Sequence, residues 1–324
     1  MGLMVDGKWT TDWYQPDNKG RFKRPQTKFH QRVTADGSSG FKAETGRYHL
    51  YLSLACPWAH RTLIMLKLKK LEEVISVSIV DPLMEDDGWM FSFYPGAIPD
   101  SVNNRKYLRE IYSLADPHYS GRVTVPVLWD KKTNSIINNE SREIMRMLDS
   151  EFDAFADPGV TFCPETLQEK IDTTITAIYE PINNGVYRAG FATTQSAYED
   201  AVKELFDALD HWNDVLQSQR YLCGDVITEA DWCLFTTLVR FDPVYVGHFK
   251  CNLRRIVDYP NIWNYLKELY QVPGVAETCN FDHIKKHYYQ SHSGINPTRI
   301  VPMGPVIDYF EAHNRDQLPV QSAA

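Results

Sequence analysis

The chain has 324 residues, enough for one large or two ordinary domains, and carries 34 basic against 42 acidic residues for a formal net charge of −8 at pH 7. That balance argues against a nucleic-acid or anionic-membrane partner, and no apolar run approaches the ~20 residues of a membrane span. The first thirty residues lack the apolar stretch of a signal peptide. The six cysteines (Cys56, Cys163, Cys223, Cys233, Cys251, Cys279) contain no Cys-x-x-Cys, so neither a disulfide framework nor a zinc ribbon is expected and a reducing, cytoplasmic setting fits.

In chain order, residues 1–46 are polar and rich in turn formers, which predicts an irregular arm laid over a domain. Tyr48, Leu50, Leu52 and Leu54 alternate with His49, Tyr51 and Ser53, the pattern of a half-buried strand. Leu63, Ile64, Leu66, Leu68 and Leu71 then take helical spacing. Val74 to Val80 reads as a second strand, parallel to the first across the helix. An insertion, 81–121, is punctuated by Pro and Gly and holds a short helical stretch near Arg105–Leu114. Strands at Val123–Trp129 and Ser135–Asn138 and a helix at Glu140–Phe152 complete a thioredoxin-like order over 47–153. From 154 to 324 the pattern is helical, at Glu165–Ile182, Thr194–Gln217, Thr228–Phe241 and Tyr259–Tyr270. Thr228 and Asp231 form a capping-box pattern, and a tail runs from 281.

The chemistry concentrates at Ala55-Cys56-Pro57-Trp58-Ala59-His60-Arg61. Pro57 suits the first helical position, which makes Cys56 the N-cap with the amides of Trp58 and Ala59 expected to point at its sulfur. Partial positive charge at a helix start favours thiolate, the nucleophilic form. Pro126, inside a strand pattern, fits an edge strand or bulge. Alternatively, with a cis peptide before it, it would turn the Val125 backbone outward to pair with an extended cysteinyl peptide beside Cys56. Asn139-Glu140-Ser141 opens a helix and reads either as an ordinary cap or as a site for the amino-acid end of a γ-glutamyl group. Cys56 and His60 have metal-ligand spacing, and His283, His287 and His292 are further imidazoles, but the paired spacing of a zinc site is lacking, so no metal is expected. His60 reads as a helix-face residue and the other cysteines as small core residues.

Ala55–Arg61, Gly88-Trp89, Arg122–Trp129, Asn139–Ser141, Asn184–Ala192, Leu238–Tyr245 and Asn280–Lys285 together resemble the glutathionyl-hydroquinone reductases, the Xi class of glutathione transferases, over nearly the whole chain. The resemblance implies a thioredoxin-like N-terminal domain, an all-α C-terminal domain and glutathione as co-substrate. It places glutathione on Cys56, Trp89, Val125, Glu140 and Ser141, with Pro126 and Arg122 beside them. It puts the hydroquinone near Tyr187 and a tyrosine of the pair Tyr288-Tyr289, with Tyr288 favoured, and adds Arg299 from the tail. The expected reaction is attack of the Cys56 thiolate on the sulfur of a glutathionyl-hydroquinone, followed by resolution of the mixed disulfide by a second glutathione. A tyrosine hydroxyl, Tyr187 or Tyr288, assists the departing hydroquinone.

Three other readings compete with this one. Conjugation of glutathione to electrophiles sits badly with a cysteine in place of Ser or Tyr. A glutaredoxin-like thiol transferase or dehydroascorbate reductase would use the same Cys56 chemistry. A non-catalytic interaction module has no need of a nucleophile at a helix start. Trp89, Phe91, Phe93 and Tyr94 make the insertion apolar for a solvated loop, which predicts a homodimer.

Overall fold

The structure, a computed structural model, describes residues 2–12, 15–157 and 159–318, so the end of the expected tail, 319–324, lies outside the described residues. It divides into two compact units. The first contains Met1–Trp13, Arg24–Val160 and Glu277–Ser293, and the second Tyr14–Lys23, Thr161–Ala276 and Gly294–Ala324. This division follows contacts rather than chain order, and so cuts across the expected boundaries at 46 and 153.

The first unit begins with a hairpin of β1 (Leu3–Val5) and β2 (Lys8–Thr10), after which the described residues up to Arg47 form no further named helix or strand. Asp6 and Gly7 form its turn at φ 47° and 72°, the left-handed pair that a two-residue hairpin requires. Its main sheet contains β3 (Tyr48–Leu52), β4 (Ser76–Ile79), β5 (Val127–Asp130) and β6 (Ser135–Asn138) in the order β4-β3-β5-β6. β3 runs parallel to β4, across the crossover helix α1 (Pro57–Leu68), and antiparallel to β5, which in turn pairs antiparallel with β6. α2 (Leu108–Ala115) lies in the insertion, and α3 (Ser141–Ser150) packs against α1.

β3 is buried on both faces, not half-buried. Its polar side chains are satisfied internally: His49 meets the hydroxyls of Ser76 and Ser78 at 2.7 and 3.0 Å, and the Tyr51 hydroxyl donates to Asp100 at 3.0 Å. Arg47, just before β3, holds the buried Asp130 with two hydrogen bonds at 2.9 and 2.7 Å.

The second unit is helical: α4 (Gln168–Ile178), α5 (Gly185–Gly190), α6 (Gln195–Ser218), α7 (Glu229–Arg240) and α8 (Pro260–Gln271). Every residue of α7 is buried, as expected of a helix enclosed by its neighbours. The Thr228–Asp231 capping box forms. Asp231 also accepts from the Leu222 amide at 2.9 Å and the Tyr265 hydroxyl at 2.8 Å, while burial raises its pKa. The expected helix Glu165–Ile182 is interrupted, because α4 ends in a wide turn over Tyr179–Asn183, with Pro181 at its centre. α7 ends in a matching turn, Phe241–Tyr245, centred on Pro243. Proline cannot donate to the helical ladder, and a widened turn accommodates it. The expected tail contains α9 (Phe281–Ser291), capped by the Asn280 side chain, and this helix belongs to the first unit.

Candidate active site

Cys56 is the N-cap of α1, with extended backbone (φ −78°, ψ 122°) and Pro57 at the first helical position. Its side chain makes no capping hydrogen bond, contrary to the expectation for the Trp58 and Ala59 amides; the half-buried thiol donates instead to the Val125 carbonyl at 3.7 Å. An S–H group donates and a carbonyl accepts, so this contact is one that a thiol can make, whereas a thiolate would be drawn to amide donors.

The Val125–Pro126 peptide is cis. β5 lies between β3 and β6, so Pro126 is not on an edge strand. The strand starts one residue after the proline instead of at Val123, since Pro offers no ladder donor. The Val125 carbonyl lies beside the Cys56 sulfur, at 3.7 Å.

At the start of α3, Glu140 is the N-cap and accepts from the Arg142 amide at 3.4 Å and from the Thr27 hydroxyl at 3.3 Å. Ser141 is buried beside it, its hydroxyl 3.5 Å from the same carboxylate. This is the cap geometry of the simpler reading, and it leaves the carboxylate only half-buried. The Arg122 guanidinium donates to the carbonyls of Gly2 and Asp12 at 3.0 and 2.9 Å.

Sequence reasoning missed a pair of cations at the Trp58 ring, two residues after Cys56. The guanidinium carbons of Arg24 and Arg61 lie 4.7 and 4.4 Å from the Trp58 ring. Arg61 was visible in the helical motif, but Arg24 lies far upstream in a polar arm with no local signal.

Trp89 is buried and its ring stacks on that of His287, centroids 4.8 Å apart and planes within 21°. Tyr288 is buried with its ring edge-on to His287 and His292; Tyr289 is half-buried. His283 and His287 are committed to main-chain carbonyls, of Pro95 at 2.7 Å and Pro82 at 2.9 Å. His60 is fully buried and bonded to the Thr278 hydroxyl at 2.7 Å. Among the described residues no group of three or more His, Cys, Asp or Glu side chains is placed to hold a metal ion.

Tyr187 and Arg299 belong to the second unit. Tyr187 lies in α5 rather than in an open turn, and its ring contacts those of Phe191, Tyr245 and Phe249. Gly190 is required there, since a Cβ would come 2.2 Å from the Phe249 ring. Arg299 is exposed, with a left-handed backbone at φ 56°. Cys223, Cys233 and Cys251 are buried as expected and none of the six cysteines forms a disulfide; Cys163 and Cys279 are half-buried rather than core residues. Burial raises the Cys223 thiol above its ordinary value.

Known proteins resemble this chain along its length. The glutathione S-transferase N-terminal domain model matches residues 55–151 and the C-terminal domain model residues 195–268. Glutathionyl-hydroquinone reductase YqjG of Escherichia coli (strain K12) is 53% identical, the match covering 98% of this chain and 99% of that protein. Glutathionyl-hydroquinone reductase PcpF of Sphingobium chlorophenolicum is 51% identical, covering 94% and 96%. Among solved structures, a Xi class glutathione transferase from Natrialba magadii superposes with TM-score 0.93 at 55% identity, covering 98% of this chain and 97% of that one. The glutathione-bound structure of Escherichia coli K-12 YqjG gives 0.89 at 52% identity, covering 97% and 99%.

Proposed function

The chain belongs to the glutathionyl-hydroquinone reductases, the Xi class of the glutathione transferase family, and from that premise we propose that it reduces glutathionyl-hydroquinones to hydroquinones at the expense of glutathione. The observation that carries this reading is a half-buried thiol at a helix N-terminus, beside the Val125 backbone. The Cys56 thiolate attacks the glutathione sulfur of the substrate. The carbon–sulfur bond breaks, its electron pair goes to the ring carbon, and that carbon takes a proton as the hydroquinone leaves. Cys56 is then joined to glutathione in a mixed disulfide. A second glutathione thiolate attacks that disulfide and departs as oxidised glutathione, returning the Cys56 thiolate. No cysteine lies within the first turn of α1 to resolve it internally.

In this reading Trp89, Val125, Pro126, Glu140 and Ser141 hold the glutathionyl group. Glu140 takes its ammonium and the start of α3 a carboxylate. Arg122 is a further proposed carboxylate contact. Tyr187 or Tyr288 is the proposed partner of the phenolic oxygen, and Tyr289 and Arg299 are further proposed substrate contacts. No metal takes part in the step as written. The reducing cytoplasm is the proposed setting, in keeping with six cysteines outside any disulfide.

We also propose a homodimer, on narrower ground than the sequence suggested. Trp89 and Phe91 are buried and Tyr94 is partly covered, so the aromatic surface of the insertion reduces to Phe93, which is 92% exposed. Light scattering at micromolar concentration should give twice the protomer mass; a species of single mass rules the dimer out.

The deciding experiment is steady-state release of hydroquinone from a glutathionyl-hydroquinone by wild type and Cys56→Ser. The serine variant should keep its fold and lose turnover, because an alkoxide is not available at neutral pH. Normal turnover by Cys56→Ser would sink the mechanism. A glutaredoxin-like thiol transferase uses the same thiol. Parallel assays with a glutathionylated small disulfide and a standard electrophile separate these reactions.

A further inference from the structure

α9 grips the segment that carries Trp89 through one polar stripe. His283, His287 and Ser291 recur at intervals of four, so they share a helix face. Each contacts the main chain of the insertion. His283 Nε2 donates to the Pro95 carbonyl at 2.7 Å, His287 Nδ1 donates to the Pro82 carbonyl at 2.9 Å, and Ser291 Oγ accepts from the Met84 amide at 2.9 Å. Tyr94 adds a fourth tie, its hydroxyl donating to Asp282 at 2.7 Å. His287 alone among the three stripe residues also presents its ring to the Trp89 indole, 4.8 Å away and nearly parallel.

A carbonyl only accepts, so the contact with Pro82 puts the proton of a neutral His287 on Nδ1. That bond fixes χ2 and with it the plane of the imidazole. The indole stacked on this plane is therefore fixed in turn by a residue 198 positions away in sequence (287 − 89). A surface set in advance binds more tightly than one that must be ordered on binding. We propose that His287 is a positioning residue for the glutathionyl group: anchored to Pro82, it sets the orientation of Trp89 and so the affinity for glutathione, without touching the reacting atoms. This rests on the proposed placement of Trp89 in the glutathione site.

Three variants separate the two arms of the residue. Asn can keep a donor near the Nδ1 position and loses the ring. Phe keeps a ring and loses the donor, and Ala loses both. His287→Asn should raise the apparent KM for glutathione about 3–10-fold, the scale of one aromatic pair, with kcat within about twofold and the melting temperature nearly unchanged. His287→Phe should melt earlier and also raise KM, because its ring plane is no longer held by the Pro82 carbonyl, and His287→Ala should show both defects at least as strongly. A merely structural histidine would lower the melting temperature in all three and leave KM alone, which would overturn the proposal. Trp89→Ala is measured alongside. If it raises KM and His287→Asn does not, the positioning role falls while the glutathione site stands. If neither moves KM, the placement of Trp89 falls and the positioning role with it.

Discussion

At Tyr187 and Tyr288 the chemistry and the packing make different demands on one hydroxyl. Both side chains are largely buried, Tyr187 in an aromatic cluster and Tyr288 against two imidazoles. If their hydroxyls hold the phenolic oxygen, Tyr→Phe at either should cost about 1–3 kcal/mol of transition-state stabilisation with a glutathionyl-hydroquinone. Glutathionylated small disulfides, whose leaving thiolate needs no phenol contact, should react almost as before. Equal losses on both substrates, with earlier melting, would assign these tyrosines to the fold. Cys56 and Val125 were legible in the sequence because prolines mark both: one can only start a helix, the other can only precede or interrupt a strand. The partners of Trp58 and Trp89 were not legible, because Arg24 and His287 reach them across the fold and the chain near each tryptophan gives no sign of them. In the sequence His283 and His287 stand out as imidazoles near metal-ligand spacing. Their spacing of four, continued to Ser291, was the signal for a helix face instead.

Among the elements, β3 and β4 carry a pH dependence that follows from burying an imidazole between two serines. Burial pushes the His49 pKa down to about 4, against an ordinary value of 6.5. The folded state thus keeps His49 neutral where the unfolded chain would take up a proton. The sign follows: this contribution to stability is fully present above pH 6.5 and is lost as pH falls through 6.5 toward 4. Its size is on the order of 3 kcal/mol. Urea midpoints measured between pH 7 and 4.5 should fall less steeply for His49→Gln than for wild type; identical slopes would exclude His49 as the source. Elements with long apolar periodicity were read from the sequence to within a residue or two, as for α6, α7 and α8. The misses are physical. The β1–β2 hairpin is short and rests on the Asp6-Gly7 turn, and β5 is trimmed by Pro126. α9 draws its stability from Asn280 and from contacts with a distant loop.

For the whole molecule, each unit takes three separate stretches of chain. The matched N-terminal family domain, residues 55–151, leaves out α9 altogether. A fragment of residues 1–160 should therefore be an incomplete unit, with Trp89 and the carbonyls of Pro82 and Pro95 deprived of their partners. It should bind an apolar dye and melt earlier and more broadly than the intact protein, and a peptide spanning 277–293 added in trans should reverse part of both effects. A fragment that melts like the full chain would show that α9 contributes nothing to the first unit.

The segment Glu277–Ser293 also sets a clock on biosynthesis. A ribosome adding ~5–20 residues per second needs about 10–40 s to travel from Trp89 to His287. During that interval the sheet can form, but the indole and the carbonyls of Pro82 and Pro95 wait for partners still to be translated. A chain truncated by a premature stop anywhere before α9 would carry this unmet surface permanently and remain a target for chaperones and proteases. Completion of the first unit thus waits until the chain has been read as far as Ser293.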